Sequence, residues 1–310
     1  MVYNKHLVLA VCALLAFGAC SGGGGSDDPV NPPTPSQPSQ PEAKLPINIS
    51  TMVLSRATDT NFEAGDNIGL FVVNHNADGS AAALKVSGNH VDNMKYTYNG
   101  TWVPATQTYW SDNKTHADFY LYYPYSSNIG SVEAMAWKVN ADQSSEANYK
   151  AGDLLIGKAS DVPPTESAVK IDAKHVMSQM KITVAPGNGF TEATLAAAKV
   201  SVAVNGLKIQ GSVNLATAAA TATGEAATIT PMKEDGIYKA LIMPQTAGKG
   251  NLITVNVDDR SYNLSTTEDI NFEAGKSLKF TVTVSKTSNG VNVNITKWED
   301  DGKDYGGTAE

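Results

Sequence analysis

From Lys44 onward, apolar residues fall at every second position in short runs separated by turn residues. Ile47, Ile49, Thr51 and Val53 alternate with the polar Asn48 and Ser50. Ile68, Leu70 and Val72 alternate next, and near the far end so do Leu278, Phe280, Val282 and Val284. A period of two is the mark of a strand with one buried face. The same pattern predicts strands within "MKYTYNGTWV", "HADFYLYYPY", "DLLIG" and "MKITVAP". It continues through "KVSVAV", "GSVNL", "ATIT", "YKALIM", "NLITVNV", "SYNL" and "GVNVNIT". Asn99-Gly100 between two such runs predicts a hairpin turn. One segment reads as helix, "TEATLAAAK" from Thr191 to Lys199, with a Thr-x-x-Thr start and an alanine run. Many short strands with regular turn signals predict an all-β chain of Greek-key sandwiches.

One phrase occurs twice. Asn-Phe-Glu-Ala-Gly stands at Asn61 to Gly65 and again at Asn271 to Gly275, each time just before a long alternating run. Glycine tolerates positive φ, so each copy predicts a sharp turn that launches a strand. Chance and domain duplication both account for the repeat. The breaker cluster Pro186-Gly187-Asn188-Gly189 predicts a boundary between two sandwich domains, residues 44–186 and 187–310.

The N-terminus changes the picture from a folded body to an exported one. Lys5 precedes the apolar run Leu7 to Phe17, and the small pair Gly18-Ala19 precedes Cys20. This is a signal peptide, residues 1–19, and too short a run for a comfortable membrane span. The chain has two cysteines, and Cys12 is lost with the signal. Cys20 is then the sole thiol of the mature chain, so an internal disulfide is excluded. A lone Cys behind a small-residue pair resembles a bacterial lipobox, with Phe17 in place of the usual leucine, and marks Cys20 for lipidation. Residues 20–43 continue as a Gly/Ser- then Pro-rich tether too polar to pack. Lipid alone would hold such a chain to the membrane.

Composition excludes more than it identifies. Over 310 residues the net charge is -8, and losing residues 1–19 removes Lys5 and no acid. With no basic stripe, nucleic acid is not an expected partner. Arginine occurs only at Arg56 and Arg260. The histidines His75, His90, His116 and His175 show no i, i+4 pair, and neither a nucleophile elbow nor a phosphate loop is present. "NHNADG" from Asn74 opens like a calcium loop, but Lys85 occupies the place of the required acid. No enzyme, cofactor or metal is therefore expected. The aromatics from Tyr109 to Tyr125 suggest a platform for surface glycans. Alternation of Phe119, Leu121 and Tyr123 suggests core instead.

Several segments together carry a resemblance. "LSRATDTNFEAGDNIGLFVV", "YTYNGTWVPATQTYWSDNKTHADFYLYYPY", "DLLIGKA" and "HVMSQMKITV" follow one another in order, and "NFEAGKSLKFTVTV" and "ITKW" close the chain. This series resembles the fimbrillin family, the lipoprotein-derived pilins of type V pili in Bacteroidales. The resemblance implies two transthyretin- or Ig-like β-sandwich domains and export to the outer membrane as a lipoprotein. It further implies cleavage after an arginine and polymerisation by strand exchange into an adhesive pilus.

On this sequence the cut would fall between Arg56 and Ala57, the work of an Arg-specific protease. It would free a removable strand carrying Ile47, Ile49 and Val53. Val291, Val293 and Ile295 alternate in the last strand and are donor candidates, although that strand could equally close the second domain. The implied partners are other pilin subunits, identical or paralogous, outer-membrane lipid at Cys20, and a host surface ligand. The alternative is a glycan-binding lipoprotein using Tyr109–Tyr125.

Overall fold

The computed structural model describes residues 44–53, 62–286 and the backbone of 292–297. In chain order the strands of the first half are β1 (Ile49–Val53), β2 (Asn67–Asn74), β3 (Val91–Tyr98), β4 (Trp102–Pro104), β5 (Ala117–Tyr123) and β6 (Met135–Lys138). After helix α1 (Glu146–Lys150) come β7 (Leu155–Val162), β8 (Val169–His175) and β9 (Ser178–Pro186). Helix α2 (Glu192–Ala197) leads to β10 (Val200–Val213), β11 (Ala220–Ile229), β12 (Met232–Glu234), β13 (Ile237–Ile242) and β14 (Gln245–Ala247). The last strands are β15 (Gly250–Val257), β16 (Arg260–Thr266), β17 (Ile270–Phe272), β18 (Ser277–Val284) and β19 (Asn292–Lys297). The chain is all-β, as its periodicity predicts.

Seven strands form one sheet in the order β1-β8-β7-β5-β2-β3-β4. All its pairings are antiparallel except β1 with β8. The indole nitrogen of Trp102 on β4 donates to the Thr51 hydroxyl on β1 at 2.7 Å. The two end strands of the path therefore meet, and the sheet curls around its own apolar face. Ile49, Ile68, Leu70, Val72, Tyr96, Phe119, Leu121 and Ile171 fill the enclosed core.

The alternation in β2 and β5 predicts one buried face, and this expectation fails. Phe71, Val73, Tyr120 and Tyr122 on the opposite face are also buried. A second layer covers them, drawn from Met135 on β6, Tyr149 on α1, Val213 on β10 and Leu241 on β13. Strands buried on both faces lose the polar half of their alternation. Gly69 lies opposite Tyr122 across the β2–β5 ladder, and a Cβ there would stand 2.0 Å from the Tyr122 ring. The missing side chain is what admits the ring.

The remaining strands form a sandwich, apart from β14 and β17, which pair with each other in a separate two-stranded sheet. One sheet runs β11-β10-β15-β16, with β6 also paired to β10. The other runs β12-β13-β9-β18-β19, parallel between β9 and β18 and antiparallel elsewhere. Val202, Ile253, Val255 and Tyr262 of the first face Met180, Ile182, Phe280 and Val282 of the second across a single core. Strand pairing passes from one sheet to another between His175 and Ser178, ahead of the Pro186–Gly189 breakers. The described residues from 44 onward form one compact unit.

Two local readings change. "KVSVAV" and "GSVNL" belong to one fourteen-residue strand, β10. Asn205-Gly206 between them is a bulge, with Gly206 at φ +73 and register shifts before Leu207 and after Lys208. Such a bulge bends a strand without ending it. Helix α2 matches its prediction: Thr191 is the N-cap, and its hydroxyl and that of Thr194 form a reciprocal capping box. Helix α1, capped by Ser145, is only five residues long, too short for helical periodicity to be read from sequence.

Candidate functional site

The sequence directs attention to the two ends of the folded body. At the first, residues 45–53 are pinned from two directions. The Ile47 N–H donates to Thr108 O at 2.9 Å, and the Trp110 N–H donates to Leu45 O at 2.9 Å. Val169 N–H then donates to Asn48 O at 2.8 Å, and β1 continues along β8 from Ile49 opposite Val169 to Val53 opposite Ala173. The Tyr96 hydroxyl braces Thr108 at 2.8 Å.

Period two aims alternate side chains inward. Ile47, Ile49 and Val53 are 1%, 6% and 8% exposed, while Met52 is 53% exposed. Burying three such side chains stabilises by roughly 1.5–3 kcal/mol each, gross. Thr51 takes the fourth inward place, where its hydroxyl meets the Trp102 indole. β1 is thus an edge strand by its backbone and a core strand by its side chains.

Trp102 also holds the chain on the far side of the segment that carries Arg56. Phe62, where the described chain resumes, packs edge-on against Trp102 with ring centroids 4.9 Å apart. It also touches Tyr123 at 5.5 Å and Tyr98 at 6.3 Å. One indole therefore contacts residues on both flanks of Arg56. Arg56 and Ala57 themselves lie outside the described residues, as does Cys20. Neither Thr51 nor Trp102 was singled out by sequence reasoning as functional. The inward place of Thr51 in an alternating strand was the available signal.

Arg260 stands between the strand-like runs "NLITVNV" and "SYNL", a place where an arginine could be shielded. Its side chain is in fact exposed, and its guanidinium donates to Lys286 O at 2.8 Å. It opens β16 opposite Val257, after the turn at Asp258 and Asp259. At the other end, the backbone of β19 pairs antiparallel with β18, Thr283 opposite Asn292 and Leu278 opposite Lys297. Val291 lies outside the described residues, and Val293 and Ile295 fall within this ladder.

The aromatic cluster proves to be interior. Trp110, Phe119, Tyr120 and Tyr122 are all at most 5% exposed, and of the group only Tyr109 reaches 40%. The Tyr122 hydroxyl lies 2.7 Å from Asn93 Oδ1, and burial pushes it up to about 12. The four buried rings present no face to a sugar, which leaves Tyr109 and the half-buried Tyr123 and Tyr125 as the accessible part of the cluster.

A buried charge cluster sits where β2, β5 and β7 end. Asp118 accepts from His75 Nε2 at 2.9 Å and from the Asp161 N–H at 2.9 Å, with Lys158 Nζ at 3.4 Å. His75 Nδ1 faces Gly79 O at 3.1 Å. The hydrogen bond to Asp118 holds His75 above its ordinary value against the opposing effect of burial. Burial would raise Asp118, but its bonds to His75 and to Asp161 N–H, with the charge of Lys158, hold it below the usual carboxylate range. Each group satisfies the others, so the cluster ties the ends of β2, β5 and β7 together. No group of side chains suited to a metal ion occurs among the described residues.

Comparison with known proteins agrees with this architecture. The chain is 27% identical to Fim1C of Bacteroides uniformis, a protein assigned as a fimbrium subunit, across 93% of this chain and 94% of that one. Two crystal structures share the fold, both of proteins assigned to cell adhesion. The one from Bacteroides uniformis gives a TM-score of 0.63 at 23% identity, covering 82% of this chain and 99% of that one. The one from Bacteroides ovatus gives 0.64 at 19% identity, covering 83% and 97%. Residues 55–298 match the fimbrillin-like family. That match takes in every strand from β2 to β19, and the chain belongs to the fimbrillin-like family.

Proposed function

We propose that this chain is a fimbrial subunit, carried to the outer membrane on a lipidated Cys20, cut between Arg56 and Ala57, and assembled by strand exchange into an adhesive pilus at the cell surface. One observation carries the reading: β1 sits at a sheet edge, yet Ile49 and Val53 on it, with Ile47 just before it, fill the core. Its departure would expose β8 along one side, the 108–110 backbone along another, and an apolar groove between them. An open edge of this kind is a template for a strand from another chain. The family match begins at residue 55, just beyond β1. Arg56 lies in the short connection between β1 and Phe62, and no other arginine precedes Arg260.

In the uncut chain β1 occupies its own groove, so the precursor is a monomer. Once cut, β1 is held by its hydrogen bonds and its three apolar contacts alone, and it leaves slowly. The last strand, with Val291, Val293 and Ile295, is the donor to a neighbouring subunit. Other pilin subunits and an Arg-specific protease are the partners this scheme requires, and a host surface ligand is the target of the finished pilus.

Fimbriae sheared from cells should contain this chain beginning at Ala57. Arg56→Ala should leave the chain uncut, membrane-bound and absent from fimbriae. Deleting residues from Gly290 onward should preserve cleavage but stop addition of the next subunit. Fimbriae containing the uncut Arg56→Ala chain would overturn the mechanism. Normal fimbriae built with the truncated chain would overturn only the assignment of the donor.

A further inference from the structure

Thr51 is the odd member of the inward face of β1. Ile47, Ile49 and Val53 are apolar, but Thr51 presents a hydroxyl to Trp102 Nε1 at 2.7 Å. Trp102 is only 8% exposed, with Phe62 and Tyr98 packed about its ring at 4.9 and 5.0 Å. When β1 leaves, this indole N–H needs a new acceptor. A buried donor whose partner is replaced by an apolar group bears its full desolvation penalty, whereas replacing both partners by apolar groups is nearly neutral.

We propose that the groove vacated by β1 selects its occupant through this bond. It accepts a strand of a different fimbrial subunit whose inward face reads apolar, apolar, oxygen acceptor, apolar, with a Ser, Thr, Asn or Gln at the place of Thr51. The inference rests on the strand-exchange reading above.

The chain's own last strand does not meet this requirement. In one register its inward residues are Val291, Val293 and Ile295, with no acceptor. A slip of one residue turns the other face inward. That face offers Asn292, Asn294 and Thr296, which carry acceptors but cannot fill the places of Ile49 and Val53. A copy of this chain is therefore a poor donor to itself, and the partner that fills the β1 groove is a paralogous subunit. Self-polymerisation is opposed by a single unpaired N–H rather than by any clash.

The test uses the full chain carrying Arg260→Lys, so that an Arg-specific protease cuts only after Arg56. After the freed strand is separated, the groove is titrated with synthetic peptides. The peptide of residues 44–53 should rebind. Its Thr51→Val version should bind about tenfold more weakly, and its Thr51→Ser version should lose less. The peptide of residues 290–297 should gain about tenfold from Val293→Thr, which places a hydroxyl between Val291 and Ile295. On a Trp102→Phe groove both differences should vanish.

Equal binding of the native and Thr51→Val peptides to the native groove would overturn the inference while leaving strand exchange intact. Equal losses for Thr51→Ser and Thr51→Val would do the same, and need no groove variant to fold. Failure of the native 44–53 peptide to rebind at all would overturn strand exchange and the inference together.

Discussion

The two copies of Asn-Phe-Glu-Ala-Gly make the same turn in different surroundings. In each, the residue after the glycine donates back to the glutamate carbonyl: Asp66 N–H to Glu63 O at 3.0 Å, and Lys276 N–H to Glu273 O at 3.2 Å. Gly65 and Gly275 both have positive φ, +100 and +68, and each turn launches an eight-residue strand. The neighbours differ. Phe62 is half-buried at a rim of Tyr98, Trp102 and Tyr123, whereas Phe272 belongs to β17 and is 1% exposed in the sandwich core. A Cβ on Gly65 would meet nothing within 4 Å, but one on Gly275 would stand 2.9 Å from the backbone oxygen of His175. Five residues encode a turn, and the rest of the molecule decides how much depends on it.

Substituting the phenylalanines should separate the copies most. Phe272→Ala should destabilise by about 3–5 kcal/mol, the usual range for a buried ring. Phe62→Ala should lose roughly 1–2 kcal/mol from its edge contacts. Denaturant midpoints at unchanged slope would measure both, and equal losses would mean that the rim around Trp102 is as integral as the core.

The glycines should follow on a smaller scale. Gly65→Ala carries only the strain of a left-handed alanine, about 1 kcal/mol. Gly275→Ala adds contact with a carbonyl that cannot swing aside, for a total of at least ~2 kcal/mol. Thermal midpoints that fall equally for the two variants would contradict the close approach to His175.

The smallest effect concerns the far ends of the launched strands, and it depends on pH. β2 runs into His75 and the Asp118 cluster, whereas β18 runs on to Lys286, whose carbonyl accepts from Arg260. His75 is raised in the folded chain, so its contribution is complete below its ordinary 6.5 and is lost as pH rises through the folded value. Asp118 is lowered, so its contribution is present above its ordinary 3.8 and is lost as pH falls through the folded value. The stability difference between the native chain and His75→Gln should therefore shrink on the alkaline side. A difference that holds constant through this range would show that His75 braces the strand ends by packing alone.

Residues close together in sequence made much of this protein legible before its structure. Alternation placed Ile47, Ile49 and Val53 on one face of a strand, and that face is buried. Gly65 and Gly275 marked turns, Asn99-Gly100 marked the β3–β4 hairpin, and Thr191 with Thr194 marked the start of α2. Each of these signals acts over four or five residues, through a dihedral preference, a cap or the pleat of a strand. Such forces belong to the chain itself and survive in any fold that uses the segment.

Tertiary structure alone decided the rest. Periodicity reports which face of a strand is apolar, but not whether a second layer covers the other, so Phe71, Tyr120 and Tyr122 turned from surface candidates into core. Sheet order is set by contacts between distant residues, which is why β9 pairs with β13 and β18 rather than with the strand before it. The meeting of Thr51 with Trp102 spans 51 positions and depends on the curl of seven strands. A hydroxyl in an alternating strand is an ordinary residue until that curl brings a buried indole N–H to it. The sequence by itself determined which segments are strands and where they turn, because those are local energies. Only the curled sheet determined what lies across from each side chain.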